Sequence, residues 1–238
     1  MSKGTKERAA ARRIVEQQRA AEKRRAVTVW TSIAVVAVLL IAGVVGYGLY
    51  SSQKDDTASA TTPPGAVDDG TAFASGDGPV TIDIYEDFMC PVCHEFETSS
   101  GATLKQLVTD KKVTVRYHPI AILDRYSNGT KYSTRAAAAA AAAGAAGKFA
   151  EYHQVLFDNQ PEENSNGLDD AKLIDLGKSA GLTDAAFGDA VNSGKYESWA
   201  TKVTETASAK GVTGTPTVLV NGRQLQNPTP AELEKAVG

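Results

Sequence analysis

The sequence predicts an α/β domain with a helical insertion, placed after a single transmembrane helix. Three observations support this prediction. Residues 27–50 contain no charged side chain, residues 80–118 follow a strand, helix and strand pattern, and residues 217–238 have the pattern of a hairpin and a helix. Because a β-α-β unit and a β-β-α unit can share one sheet, we interpret the helical stretch between them as an insertion.

The transmembrane prediction depends on length and on charge. Residues 27–50 are apolar over a stretch long enough for a bilayer, which takes roughly 20 residues. Trp30 lies near one end and Tyr47 and Tyr50 near the other, as expected at the two membrane interfaces. Residues 1–26 hold nine Lys/Arg and three Asp/Glu, so this segment is expected in the cytoplasm and the rest of the chain outside.

A cleaved signal peptide is the alternative for this segment. Its apolar core would usually span about 7–15 residues, which is shorter than the run found here. The sequence Ala58-Ser59-Ala60 matches a small-x-small cleavage pattern, but it lies well beyond the apolar run. We therefore expect an uncleaved anchor.

The remainder divides into a linker and one domain. Residues 51–78 are rich in Ser, Thr, Ala, Gly, Asp and Pro without apolar periodicity, which predicts a flexible linker. Residues 79–238 then form the α/β domain, with the helical insertion at about 130–210. The whole chain carries −3 and residues 1–26 carry +6, so residues 51–238 carry −9 and no nucleic-acid partner is expected.

Periodicity predicts the individual elements of this domain. Strands are expected at 80–85 and 113–118, and a first helix follows the cysteines. A single helix is expected over 135–157, where eight consecutive alanines favour a closely packed, buried helix. Further helices are predicted at 169–180, 184–193 and 196–210.

The end of the domain has strong local signals. Asn221-Gly222 is typical of a two-residue hairpin turn between strands at 217–220 and 223–226. Thr229 and Glu232, with Pro230 between them, match a capping box that begins the last helix.

The only two cysteines of the sequence, Cys90 and Cys93, lie between the strand at 80–85 and the first helix. A thiolate at a helix N-terminus is stabilised by free N–H groups and by the helix dipole, which makes it a good leaving group. Disulfides persist outside the cytoplasm, yet a bridge across so short a loop restricts the unfolded chain little. A catalytic role for the pair is therefore favoured over a structural one.

Two motifs together resemble a known family. The sequence CPVC at 90–93 follows the strand and the stretch YEDFM at 85–89, and GTPT at 214–217 precedes a second strand. In this order and context they resemble the DsbA-like branch of the thioredoxin superfamily, in its membrane-anchored form from Gram-positive and actinobacterial species. The resemblance covers roughly residues 79–238 and implies a thioredoxin fold with an inserted helical domain.

The resemblance implies a role for each motif residue. Cys90 would be the reactive first cysteine and Cys93 the resolving one. Pro216 would be a cis-proline facing them, and the backbone of Thr215 would pair with the substrate peptide. Many relatives also have a buried acidic residue six positions before the first cysteine, a position that Ile84 occupies here.

Residues near the motif are candidates for tuning the thiols. Glu86, or water, could replace the missing carboxylate at position 84. Pro91 suits the first helical position, while Val92 offers neither charge nor hydrogen bond, which predicts a less oxidising site than a Pro-His version. His94 would add a nearby positive charge when protonated.

His94 also completes a Cys-x-x-Cys-His pattern, which is typical of c-type haem attachment. A second axial ligand is scarce in the sequence, because Met89 is adjacent to the motif, which leaves His118 and His153 as the candidates. A zinc site would need four ligands, so no metal is expected.

The predicted function is a membrane-anchored extracytoplasmic thiol–disulfide oxidoreductase that oxidises exported proteins. The resemblance implies reoxidation by a quinone-linked membrane partner of the DsbB or vitamin-K-epoxide-reductase (VKOR)-like kind, without a soluble cofactor. The first alternative is a reductase or isomerase on the same fold, for instance one serving cytochrome maturation. Alternatives of another class are a tethered c-type haem electron carrier and a tethered, non-catalytic peptide-binding or chaperone domain.

Overall fold

The computed structural model describes residues 60–238. The predicted cytoplasmic segment at 1–26, the predicted transmembrane helix at 27–50 and the first part of the predicted linker lie outside the described residues. Within residues 60–238, no helix combines the length and the apolar character needed to cross a bilayer.

A five-stranded sheet lies at the centre of the described domain. Its strands stand in the order β1-β3-β2-β4-β5, with β2 parallel to β3 and every other neighbouring pair antiparallel. Strand β2 is therefore central, and its carboxyl end leads to the cysteines. The strands are β1 (Phe73–Ser75), β2 (Val80–Glu86), β3 (Val113–Pro119), β4 (Thr217–Val220) and β5 (Arg223–Gln224).

Helices cover the two faces of the sheet and form the insertion. Helix α1 connects the parallel strands β2 and β3, helices α2 to α6 lie between β3 and β4, and α7 follows the hairpin. A short 3-10 turn at Asp124–Tyr126 precedes α2. The helices are α1 (Pro91–Thr109), α2 (Tyr132–Ala145), α3 (Phe149–Asp158), α4 (Asp170–Ser179), α5 (Ala185–Asn192), α6 (Glu197–Ala209) and α7 (Pro230–Val237).

The alanine run is buried, as its composition predicted. All eight residues of 136–143 are buried within α2, which contacts α3, α4, α5 and α6. Small side chains allow this close packing, and a Cβ on the following Gly144 would collide with the ring of Phe73.

The prediction of one helix over 135–157 is wrong, because the chain forms two helices there. Helix α2 ends in a Schellman motif: Gly147 has φ +72, its N–H donates to the carbonyl of Gly144, and the N–H of Lys148 donates to the carbonyl of Ala143. Helix α3 then begins at Phe149. The motif redirects the chain, so α3 can place His153 beside the sheet.

The predicted linker at 51–78 extends too far, because the folded domain begins before residue 79. Strand β1 lies within that range and pairs with β3. The ring of Phe73 stacks on Phe149 at 4.7 Å, and the indole N–H of Trp199 donates to the carbonyl of Gly70 at 2.6 Å. Only tertiary contacts order this segment, which has no apolar periodicity.

The C-terminal signals are confirmed in position. Asn221 and Gly222 both have positive φ and form the two-residue turn between β4 and β5, although β5 is shorter than predicted. Thr229 caps α7 by accepting a hydrogen bond from the N–H of Glu232. The backbone N–H of Thr229 donates to Asn227 instead, so only one half of the capping box forms.

Two apolar clusters lie against the sheet. One joins β2, α1, β4 and α7 and contains Ile82, Ile84 and Phe96. The other joins the sheet to the helical insertion and includes both cysteines. The carboxyl end of β2 and the start of α1 lie where the two clusters meet, and the candidate site is found there.

Candidate active site

Cys90 is the N-cap residue of α1. Its backbone is extended, with φ −80 and ψ 115, and Pro91 occupies the first helical position, where its missing N–H has no cost. The carbonyl of Cys90 accepts the N–H groups of Cys93 at 3.0 Å and His94 at 3.2 Å. Both cysteines are free thiols, Cys90 being 6% exposed and Cys93 fully buried.

The surroundings of Cys90 favour its thiolate. A hydrogen bond from the Cys93 thiol lowers the pKa of Cys90, whereas burial raises it. Further hydrogen bonds from the Thr215 side chain and from the N–H groups of Cys93 and Val92 lower it again. Together they lower the pKa of the Cys90 thiol to about 6. In its thiol form, Cys90 donates through Sγ to the backbone carbonyl of Thr215 at 3.5 Å.

Cys93 has the opposite character. Burial raises the pKa of its thiol far above the usual range, and the neighbouring Cys90 and the charge of Glu86 raise it further. The backbone N–H of Asp87 donates to Cys93 and opposes this rise only in part. The two thiols are thus unequal, one ionised near neutral pH and the other held protonated.

The loop before β4 forms the opposite wall of the site. The Thr215–Pro216 peptide bond is cis, and the hydroxyl of Thr217 donates to the carbonyl of Gly214 at 2.7 Å. Thr217 pairs with Tyr85 on β2, which brings this loop next to the chain leading into the cysteines. The structure therefore places Thr215 and Pro216 together with the cysteine pair.

The acidic side chain near the thiols belongs to Glu86. Ile84 is fully buried in the apolar cluster of α1, β2 and β4. Glu86 lies two residues further along the same face of β2, closer to the cysteines, and is also fully buried. One of its oxygens pairs with the His153 imidazole, while Oε2 has no hydrogen-bond partner.

Three further residues that were not predicted from the sequence contact or border the site: Asp87, Glu97 and Gln160. Glu97 is buried one helical turn after Cys93, a spacing that places both on one face of α1 and could have revealed it. Gln160 donates through Nε2 to the carbonyls of Phe88 at 3.1 Å and Cys90 at 3.0 Å. Gln160 lies just after α3, and no local sequence pattern connects this position to the cysteines.

Asp87 holds the chain just before the cysteines. Its carboxylate accepts hydrogen bonds from the N–H groups of Met89 and Leu123, both at 2.9 Å, and from the hydroxyl of Ser133 at 2.7 Å. Burial nevertheless raises the pKa of Asp87 to about 7. This carboxyl group therefore fixes the approach to Cys90 against the start of α2.

The other predicted tuning residues lie around the mouth of the site. Val92 is 56% exposed and Pro91 is exposed, so both face solvent beside Cys90, and His94 is half-buried on the first turn. His118 and His153, considered as haem ligands, are both buried against carboxylates, Asp83 and Glu86 respectively.

Two groups of acidic and histidine side chains lie close together within residues 60–238. In the group of Asp68, Asp83 and His118, the guanidinium of Arg116 already binds both carboxylates. In the group of Glu86, Glu97 and His153, the imidazole itself pairs with Glu86. Arg116 and His153 thus already occupy carboxylate oxygens that a metal ion would need.

The site combines an ionisable thiol at a helix N-terminus, a buried second thiol and a cis-proline loop. These features define a thiol–disulfide oxidoreductase of the thioredoxin class. A thioredoxin family model matches residues 69–238. The chain therefore belongs to the thioredoxin family, as an enzyme of the DsbA-like type.

Solved structures agree with this assignment. DsbA of Mycobacterium tuberculosis in its reduced form is 36% identical, with a TM-score of 0.62, and the match covers 70% of this chain and 90% of that one. The disulfide bond oxidoreductase DsbG of the same organism is also 36% identical, with a TM-score of 0.62, over 76% of this chain and 89% of that one.

Curated relatives show that similar domains occur in proteins of different length. The serine/threonine-protein kinase PknE of Mycobacterium tuberculosis is 30% identical over 181 residues, which are 72% of this chain and 32% of the kinase. This chain thus spans about a third of that relative. A probable disulfide bond formation protein D of Bacillus cereus is 24% identical over 85% of this chain and 91% of its own length.

Proposed function

We propose that this chain is a membrane-anchored, extracytoplasmic enzyme that oxidises cysteine pairs of exported proteins through a Cys90–Cys93 disulfide. The observation that carries the proposal is that, at the start of α1, the pKa of the Cys90 thiol is lowered and that of the Cys93 thiol is raised. An enzyme that donates its disulfide gains from a first cysteine that leaves easily as a thiolate.

The lowered pKa of Cys90 favours the reduced enzyme and so the oxidation of substrates. Relative to an ordinary value of 9, a pKa of about 6 stabilises the reduced form at pH 7 by about 1.4 kcal/mol, equivalent to about 30 mV of oxidising power. This stabilisation of the reduced form by the lowered Cys90 pKa grows to about 4 kcal/mol above pH 9, where an ordinary thiol would also ionise.

The reaction proceeds in two exchange steps. A substrate thiolate attacks Sγ of Cys90, the Cys90–Cys93 bond breaks, and Cys93 leaves with the electron pair. A second substrate thiolate then attacks the substrate sulfur of the mixed disulfide, and Cys90 leaves as a thiolate. The substrate has lost two electrons and gained a disulfide, and the enzyme holds the dithiol form. The exposed Val92 and the backbone of Thr215 border the place where the substrate peptide binds.

Cys93 needs a proton when it leaves, because its thiolate is strongly disfavoured in so buried a position. Glu86 is buried, acts electrostatically on Cys93 and has one oxygen without a partner. We assign to Glu86 the transfer of this proton to and from Cys93.

The N-terminal sequence supports the proposed location, and the family resemblance supports the proposed partner. The uncharged run at 27–50 after a basic segment supports a cell-membrane anchor with the domain outside the cytoplasm. A DsbA and a disulfide bond formation protein are among the similar proteins. The electrons then pass from the reduced cysteines to a quinone-linked reoxidase of the DsbB or VKOR-like kind in the same bilayer, with no soluble cofactor.

Trapping of mixed disulfides tests the proposal. Cys93→Ser in the native host stops the exchange at the first step, so partners stay attached to Cys90 and can be identified after separation without reductant. Exported proteins and a membrane reoxidase are the expected partners. Cys90→Ser, the matched control, should trap neither, and a Cys90→Ser protein that still oxidises thiols would contradict the enzymatic role.

A reductase or isomerase is the second candidate, supported by the uncharged Val92 beside Cys90. The same experiment separates the two directions. A membrane reductant transporter trapped on Cys90 in place of a reoxidase would establish the reducing role and overturn the oxidising one.

A further inference from the structure

The loop between α3 and α4 contacts the site through the side chain of Gln160. This loop spans residues 159–169, and Gln160 is half-buried near its start. Its Nε2 donates to two backbone carbonyls, that of Phe88 at 3.1 Å and that of Cys90 at 3.0 Å. Because a carbonyl can only accept, both contacts require the amide nitrogen, and the amide oxygen must point elsewhere.

The amide oxygen of Gln160 is open to solvent. Within residues 60–238, no group donates to Oε1, and Oε1 is not one of the buried atoms that lack a partner. Such an acceptor is satisfied by water as long as nothing else is bound. A bound molecule with an N–H group can replace that water and keep the hydrogen bond.

This open acceptor lies beside the sulfur to which substrates are joined. The carbonyl that Gln160 holds belongs to Cys90, and the Sγ of Cys90 donates to the carbonyl of Thr215 at 3.5 Å. Cys90 therefore contacts Thr215 through its sulfur and Gln160 through its carbonyl. A peptide whose cysteine is joined to Sγ has its own backbone only a few bonds away, which brings its N–H groups within reach of Oε1.

The rest of the loop holds Gln160 in place. The N–H of Asn164 donates to the carbonyl of Tyr126 at 2.8 Å, and the hydroxyl of Thr130 donates to the carbonyl of Asn166 at 2.7 Å. These bonds fasten the loop to the segment that precedes α2. A side chain that is already fixed loses little conformational freedom when a substrate binds to it.

We propose that Gln160 recognises the substrate: Oε1 accepts a hydrogen bond from a backbone N–H of the peptide joined to Cys90, while Nε2 holds the amide in place. The inference rests on the proposed exchange at Cys90 and names the substrate group that this exchange recognises. Every peptide bond beside a cysteine, except one to proline, offers such an N–H group, whatever the neighbouring side chains are. Gln160 thus favours cysteines within a polypeptide over small thiols that have no amide.

The attack of Cys90 on a peptide disulfide tests the inference. A short peptide carries its single cysteine as a mixed disulfide with thionitrobenzoate. The Cys90 thiolate of the full chain attacks the peptide sulfur, the S–S bond breaks, and thionitrobenzoate leaves with the electron pair, so its absorbance gives the rate constant. A series of such peptides, each N-methylated at one backbone amide near the cysteine, removes one N–H group at a time.

The natural sequence should react about fivefold more slowly with one member of the series, as expected for the loss of one hydrogen bond. Gln160→Met keeps the length of the side chain and removes the acceptor. It should react about fivefold more slowly with the unmethylated peptide, and N-methylation of the same amide should then have no further effect. An amide that pairs with the backbone of Thr215 should instead lose the same factor in both proteins.

Two controls separate recognition from structure. Gln154→Met makes the same change on α3, where the exposed Gln154 donates to Asp158 at 2.9 Å, and it should keep the natural rates with every peptide. The mixed disulfide of mercaptoethanol has no amide, so its rate reports changes in Cys90 itself. In Gln160→Met, the ratio of the peptide rate to the mercaptoethanol rate should fall about fivefold. Each ratio is measured on one protein, so a loss of folded enzyme cancels.

The possible results distinguish this inference from the proposed function. If each N-methylation has the same effect in Gln160→Met as in the natural sequence, Oε1 does not bind the substrate and the inference is overturned. An equal fall of the peptide and mercaptoethanol rates would also overturn it, because Gln160 would then only support the backbone of Cys90. A natural chain that reacts with none of these disulfides would instead contradict the proposed function.

Discussion

Strand β2 carries two buried carboxylates on opposite faces, and the two differ in how many hydrogen-bond partners they have. Asp83 accepts two hydrogen bonds from Arg116, at 2.6 and 2.8 Å, and a third contact with His118 at 3.1 Å. Glu86, three residues later, pairs only with His153 and keeps one oxygen without a partner. The carboxylate on one face of the strand therefore has partners for both of its oxygens, whereas the carboxylate on the other face has a partner for only one.

The network around Asp83 continues to the surface. Arg116 also binds Asp68 at 2.8 Å, and Lys210 binds Asp68 at 3.2 Å. Burial acts to raise the pKa of Asp83, but His118 and Arg116 outweigh it and lower the pKa. These ion pairs join the segment before β1 to β2, β3 and the end of α6, so they fix structure, whereas the cluster of Glu86, Glu97 and His153 borders the reacting thiol.

The largest effect on stability is expected from Asp83→Asn. The change removes the charge that faces Arg116 and His118, and breaking such a buried pair costs about 3 kcal/mol of unfolding free energy. Urea unfolding measures this loss, while the pKa of Cys90 and the exchange rate should stay unchanged. Asp77→Asn, at an exposed site, is the control. A changed thiol pKa in Asp83→Asn would contradict the separation of the two faces.

Glu97→Gln should stabilise the protein at high pH. The pKa of Glu97 is about 7 in the folded protein and near 4.5 in the unfolded chain, so the folded state binds more protons between these values and its stability falls as the pH rises. Above pH 7 the cost reaches about 3 kcal/mol, which the variant no longer has. Unfolding at pH 4.5 and pH 8 should show a gain only at pH 8, and an equal effect at both values would contradict the assignment.

Ser133→Ala tests Asp87, a third carboxylate that has hydrogen bonds but no cation. Losing the 2.7 Å bond should raise the pKa of Asp87 above its value of about 7 and reduce the unfolding free energy at pH 8 by about 1.5 kcal/mol. The loss should be smaller at pH 5, where the folded carboxyl group is protonated. Ser99→Ala, which removes an exposed hydroxyl bonded to the carbonyl of Phe96, is the control.

Val92→His is expected to have the smallest effect and concerns the charge around the thiols. An imidazolium at this exposed position would stabilise the Cys90 thiolate, lower its pKa and make the pair more oxidising, by about 1 kcal/mol. Thiolate absorbance and the equilibrium with glutathione measure both quantities. Val92→Gln controls for polarity without charge, and an unchanged or less oxidising Val92→His protein would disprove the tuning role.

Local patterns predicted much of the domain. The strands β2, β3 and β4, the turn at Asn221-Gly222 and the buried alanine helix are confirmed, because alternation, turn residues and helix propensity act over a few neighbouring positions. The break after Ala145 was missed, although Gly147 is the usual residue for such a helix end. Strand β1 was missed because its three residues are ordered by β3, Phe149 and Trp199.

The sequence by itself determined where the reacting thiols are and how they are presented: a strand, two cysteines and Pro91 at the first position of a helix are all local. Only the tertiary structure decided what surrounds them. Glu86, Glu97 and His153 lie on three elements, and Gln160 follows α3. The pKa values of Glu97 and His153 depend on burial and on the charges of neighbouring groups. Such electrostatic effects act through space, so no pattern along the chain encodes them directly.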